Sequence, residues 1–180
     1  MNIIIHPPHN EWSALLQRPA MDHSMLEAAV LEVLNNVKQN GDKALVEFTQ
    51  RFDGVLLKNI KVSDVEIAAA EQELTTELKA AIAQAKENIE RFHAAQVQPV
   101  VKVETMPGVQ CWRKSIGIEK VGLYIPGGSA PLFSTVLMLG IPAVLAGCRE
   151  IILCTPPGKD GNIHPAVLYA AKVAGITQVY

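Results

Sequence analysis

The chain has 180 residues, long enough for one well-buried domain and a smaller appendage, and with 49% hydrophobic and 19% charged residues it has a globular balance that excludes disorder. Sixteen basic against eighteen acidic residues, with no basic block, leave little electrostatic footprint for a polyanion, so no nucleic-acid partner is expected. Cys111, Cys148 and Cys154 show no C-x-x-C spacing and read as buried, reduced thiols of a cytoplasmic protein.

In chain order, the start MNIIIHPPHNEW has a short apolar run broken by His6, Pro7 and Pro8, and lacks the basic region and apolar length of a signal peptide. From Ser24 to Phe52, Leu26, Ala29, Val30, Val33, Leu34 and Val37 recur at helical spacing, break at Asn40-Gly41, and resume with Ala44, Leu45, Phe48 and Phe52. Two amphipathic helices joined by a tight turn are expected. Ser63 with Glu66 three residues later is the pattern of a capping box, and a further helix is expected from Thr75 or Thr76 through ELKAAIAQAKENIERFHAAQ. Residues 1–98 thus form a helical arm. Pro99 and the β-branched alternation Val101, Val103, Thr105 then announce a hairpin turning at Pro107-Gly108.

From Lys120 the pattern is strand VGLYI, loop PGGSA, helix from about Pro131 to Ala146, strand EIILCT, loop PPGKDGN, helix HPAVLYAAKVAG and strand ITQVY. That is βαβαβ, so residues 99–180 are α/β, with near-continuous apolar strands of the kind found in a parallel sheet whose two faces are covered by helices. The run from Leu132 to Cys148 contains Gly140, Pro142 and Gly147 and falls short of the roughly 20 residues that span a bilayer, so it reads as a core helix and no membrane is expected. The final strand is expected to leave an apolar edge open to pairing.

Ligands of such sheets sit beyond the carboxyl ends of the strands, which is where Pro126-Gly127-Gly128-Ser129 falls. The adjacent glycines admit a ligand to the main chain, and the helix start beyond them offers free N–H groups to a phosphate or carboxylate. On spacing the loop is neither G-x-G-x-x-G nor G-x-x-x-x-G-K-[ST], and a sharp turn that simply needs glycine is an equal reading. Tyr124, near the strand end, offers a flat ring for a nucleotide or for packing. Pro156-Pro157-Gly158 should lie beside this loop and frame one crevice with it.

The run VGLYIPGGSAPLFSTVLMLGIPAVLAGC, with IILCTPP after it and NIERFHAAQ and VETMPGVQCWRKSI before it, closely resembles the histidinol dehydrogenases. The similarity reaches from Leu15 to Tyr180 and includes GDKALVEFTQRFDG and VSDVEIAAA. The resemblance implies a zinc enzyme that oxidises L-histidinol through histidinal to L-histidine with two NAD, a cytoplasmic homodimer of histidine biosynthesis. It implies a helical arm followed by the first βαβαβ part of a Rossmann-like, aldehyde-dehydrogenase-like domain, with Tyr124 as a cofactor contact and Pro126, Gly127 and Gly128 beside it. The family's zinc ligands, acid/base pair and most substrate contacts lie C-terminal to the stretch resembled. No catalytic or metal-binding residue is therefore assigned, and the chain is expected to be an inactive N-terminal fragment.

The five histidines do not rebuild a metal site: His6 and His9 flank prolines, His23 precedes a helix, His93 lies late in a polar helix and His164 opens another. None forms an H-x-x-x-H or H-E-x-x-H pair. Two further readings stay open, a non-catalytic nucleotide-binding module and a purely structural or assembly piece.

Overall fold

The structure, a computed structural model, describes residues 3–18, 24–127 and 130–180, without the side chains of Ser24 and Met25. It divides into two compact units, Met1–Gly41 and Asp42–Tyr180. In the first, a 3-10 turn at His9–Glu11 leads into α1 (Trp12–Leu15). The rings of His9 and Trp12 stack with centroids 4.3 Å apart, and Trp12 Nε1 donates to the Pro7 carbonyl at 3.0 Å. These contacts tie down the segment that carries Pro7 and Pro8. Helix α2 (Ser24–Asn40) stops at Gly41, whose φ of +56° favours glycine and whose N–H donates to Val37 O at 2.8 Å.

The second unit opens with α3 (Asp42–Asp53). Ser63 then caps α4 (Asp64–Ala70) as expected: its Oγ accepts from Glu66 N–H at 3.2 Å, and Glu66 Oε2 accepts from Ser63 N–H at 2.8 Å. Thr75 caps α5 (Thr76–Ala94) by accepting from Leu78 N–H at 3.2 Å. Strands β1 (Lys102–Met106) and β2 (Val109–Trp112) pair antiparallel about Pro107 and Gly108, the latter at φ +83°. The expected βαβαβ unit follows as β3 (Lys120–Tyr124), α6 (Phe133–Leu145), β4 (Glu150–Cys154), α7 (Pro165–Val173) and β5 (Gln178–Val179).

The three strands are parallel in the order β3-β4-β5, with Lys120 opposite Glu150 and Tyr124 opposite Cys154. Alternation sends Val121, Leu123, Ile151, Leu153 and Val179 to one face, where the last four pack in one core with Ile82, Val136, Leu137 and Ile176. Each fully buried Leu or Ile contributes about 1.5–3 kcal/mol there. Helices α6 and α7 pack on each other, α5 on α6, and α4 on α7.

The two faces are covered unequally: the crossover helices lie on one, and on the other α3 stands across a cleft from Ile152 and Cys154. The strand order advances in one direction, and a right-handed crossover repeated in that direction returns to the same side each time, so α6 and α7 share a face. Lys120, Gly122 and Tyr124, on the opposite face of β3, are exposed. Packing also places α3, α4 and α5 in the same compact unit as the sheet, although composition groups them with the arm. The outer edge of β5 is met at one point, where Val62 N–H donates to Val179 O at 2.9 Å.

Candidate functional site

Tyr124 ends β3 on the face away from α6 and α7 and is 64% exposed, whereas the next residue, Ile125, is buried and its N–H donates to Cys154 O at 2.9 Å. That single bond carries the pairing one residue past the strand and fixes where the loop begins. Pro126 and Gly127 follow, both exposed. Gly128 lies outside the described residues.

A Cβ built on Gly127 would lie 2.7 Å from Pro156 Cγ, so the loops after β3 and β4 do stand side by side. The glycine is explained by the proline ring that fills its side-chain space, a reason the sequence did not reveal. The second loop is internally ordered: Gly158 N–H donates to Asn162 O at 2.8 Å, and Asp160 Oδ1 accepts from Asn162 N–H at 3.1 Å. Hydrogen bonds from the Asn162 side chain and backbone hold the Asp160 carboxyl below the usual carboxylate range.

Beyond the first loop, α6 starts after Leu132, which has φ −87° and ψ 49° and supplies no side-chain cap among the described residues. Helices α4, α5 and α7 are capped by Ser63, Thr75 and His164. Thr135 N–H donates to Leu132 O at 3.0 Å, and the amides of Phe133 and Ser134 stand before it at the end of a helix dipole that favours negative charge. The charged pair between β3 and β4, Lys120 with Glu150 at 2.8 Å, lies at the far end of the strands. An exposed ring, a close-packed loop pair and a helix start without a side-chain cap fit a dinucleotide.

Two of the clefts in this unit open elsewhere, and Tyr124, Pro126 and Gly127 line neither. One, of about 760 Å³, lies over Ile152, Cys154 and Tyr180 and is edged by Lys43, Lys58 and Lys61. The other, of about 780 Å³, runs between α4 and the 155–165 loop. Sequence reasoning missed both. Parallel register could have placed Cys154 opposite Tyr124, but no pattern announces that residues 58–62 fold back onto the sheet.

The histidines disperse. His9 stacks on Trp12, His93 Nδ1 meets Gln96 Oε1 at 3.0 Å, and His164 Nδ1 accepts from Ala166 N–H at 3.1 Å as the α7 cap. His23 lies outside the described residues. Among the described residues no three His, Cys, Asp or Glu side chains are grouped to hold a metal ion. The described residues therefore do not fit zinc. The cysteines are free, but Cys111 and Cys154 are exposed, which corrects the expectation of burial: Cys111 lies on a hairpin with no buried residue, and Cys154 opens into the cleft it shares with α3.

The family model described as histidinol dehydrogenase matches residues 16–180. The chain belongs to the histidinol dehydrogenase family. It is 54% identical over 180 residues to histidinol dehydrogenase of Bacteroides thetaiotaomicron, covering 100% of this chain and 42% of that relative. Against the Yersinia pestis relative it is 53% identical over 168 residues, 93% of this chain and 37% of that one. A crystal structure of the Elizabethkingia anophelis histidinol dehydrogenase superposes with a TM-score of 0.91 at 52% identity, covering 97% of this chain and 40% of that chain. The mixed α/β fold is thus that of the family, and the chain spans about two-fifths of the length of the relatives it matches.

Proposed function

We propose that this chain serves NAD-dependent oxidation of L-histidinol through histidinal to L-histidine, in the cytoplasm and as a homodimer, by supplying the first part of the dinucleotide site. Membership of the family over residues 16–180 supports the reaction class. The observation that carries the local reading is Tyr124, exposed at the carboxyl end of β3 beside the Gly127–Pro156 contact. Residues 99–180 are on this reading the opening of a Rossmann-like domain, and residues 1–98 the helical region that precedes it.

The chemistry supplied by the nicotinamide is hydride acceptance, once in each of two oxidations. Tyr124 offers stacking area to a cofactor ring with its hydroxyl left in water. The α6 amino terminus presents N–H donors to a pyrophosphate, and Pro126, Gly127 and Gly128 keep bulky side chains from its path. Seating Pro156 against Gly127 holds the two loops in one geometry before anything binds, which lowers the ordering cost of binding. Zinc and the acid/base groups belong on this reading to parts of the enzyme other than the described residues.

The test joins this chain to the unmatched remainder of the Bacteroides thetaiotaomicron relative and measures NADH formation from histidinol. Activity is expected in the joined protein, and none above a heat-killed control in the 180 residues alone with NAD and zinc supplied. Turnover by the 180 residues alone, or no turnover by a folded, zinc-loaded joined protein, contradicts the reading.

A further inference from the structure

The hairpin β1–β2 has one face built for water and one that is not. The register Lys102 to Trp112 and Glu104 to Gln110 puts those four residues on one side, where Lys102 Nζ stands 5.5 Å from the Trp112 ring centroid and Glu104 Oε1 accepts from Gly108 N–H at 2.9 Å. On that side the charged groups of Lys102 and Glu104 both have partners, beside the exposed Trp112 ring. On the other, Val103 lies opposite Cys111, Val109 opposite Met106 beyond a bulge, Val101 continues the alternation, and the one hydroxyl, of Thr105, lies 3.9 Å from Cys111 Sγ. Val103 is 53% exposed and Val109 43%, and no residue of either strand is buried. Alternation of apolar and polar residues marks a ribbon with one covered face, and a lone two-stranded hairpin is marginal in water. Contiguous bare apolar surface of this kind is a contact surface.

We infer that the Val101–Val103–Met106–Val109–Cys111 face docks the stretch of histidinol dehydrogenase polypeptide that the relatives carry outside the match. The solved relative holds this same fold, at a TM-score of 0.91 over 97% of the chain, inside a protein of which the match is only 40%. A ribbon retained in a much larger body has its apolar face turned to that body. The occupant is therefore an apolar face of the same enzyme, whether on one polypeptide with this chain or on another. The inference does not rest on the cofactor reading: a joined protein that covers the hairpin but binds no NAD keeps this and loses that.

The experiment compares the 180-residue chain with the same chain joined to the unmatched remainder of the Bacteroides thetaiotaomicron relative. Hydrogen exchange at the β1 and β2 amides should slow by about 100-fold or more in the joined protein, as those amides move from local to global opening. The double substitution Val103→Asp/Val109→Asp should lower Tm by about 5 °C in the joined protein and by no more than about 1 °C in the chain alone, since a bare surface site tolerates charge. Equal exchange in both proteins, or an equal Tm loss in both, overturns the inference. So does a dimer of the 180-residue chain that protects the hairpin, because a second copy is then the occupant. If the joined protein precipitates, the two polypeptides are co-expressed with a tag on the remainder alone. Co-purification that the double substitution abolishes supports docking, and its absence counts against it.

Discussion

Gly127 and Pro156 occupy one space: the proline ring stands where any side chain at residue 127 would begin, 2.7 Å from a Cβ built there. The loops after β3 and β4 are held together by a missing side chain. Gly127→Ala should cost about 1–3 kcal/mol by overpacking, read from urea denaturation. In a Pro156→Ala background the same substitution should cost at least about 1 kcal/mol less, because two groups that share a contact do not act additively. Equal costs in the two backgrounds would assign the glycine to the turn and not to the proline.

Ser63 and Glu66 satisfy each other's backbone at the start of α4, a helix whose Ile67 and Ala70 are buried in the core. Ser63→Ala should destabilise by about 1 kcal/mol, the usual loss for a side-chain N-cap, and speed exchange of the first α4 amides. An unchanged thermal midpoint would show that water replaces the cap without loss.

Acid should weaken the fold through the same box. Hydrogen bonds from the Ser63 side chain and backbone hold the Glu66 carboxyl below its ordinary range, and the Lys172 ammonium does the same for Glu71, which it meets at 2.6 Å. A carboxylate whose native pKa is lowered binds fewer protons folded than unfolded. Its stabilisation is complete above the ordinary Glu value of about 4.3 and drains away as pH falls from there through the native value. The urea midpoint should therefore hold from pH 7 to about 5 and fall below about 4.3. Glu66→Gln should make that fall shallower, and a parallel curve would remove Glu66 from the explanation.

What the sequence made legible was local. Asn40-Gly41, Ser63 with Glu66, Thr75, Pro107-Gly108 and His164-Pro165 each announced a turn or a cap through chemistry within four residues, and each stands where it was expected. Tyr124 was read at the strand end, and the structure exposes it there. What stayed hidden were contacts between residues far apart in the chain. Val62 reaching Val179, Pro156 filling the space at Gly127, and Lys172 paired with Glu71 leave no periodic trace. The sidedness of the crossovers was not legible either, because apolar strands say only that both faces avoid water, whereas strand order decides which face a crossover covers.

Gly117 was passed over for the same reason. A Cβ there would run into the Ala146 carbonyl at the end of α6, and a backbone carbonyl has little room to yield. Gly117→Ala should therefore cost about 1–3 kcal/mol in urea denaturation, although residue 117 lies in an irregular segment. A neutral substitution would mean that the 113–119 segment moves off α6 freely.

The most direct test of the cofactor reading is Tyr124→Ala in the joined, histidinol-oxidising protein, with initial rates measured against NAD and histidinol separately. Loss of a stacking ring is worth about 1–3 kcal/mol, so the KM for NAD should rise by about fivefold or more, with the KM for histidinol and the zinc content unchanged. An NAD dependence identical to that of the unsubstituted protein would make Tyr124 a surface residue and the loop after β3 a turn and nothing more.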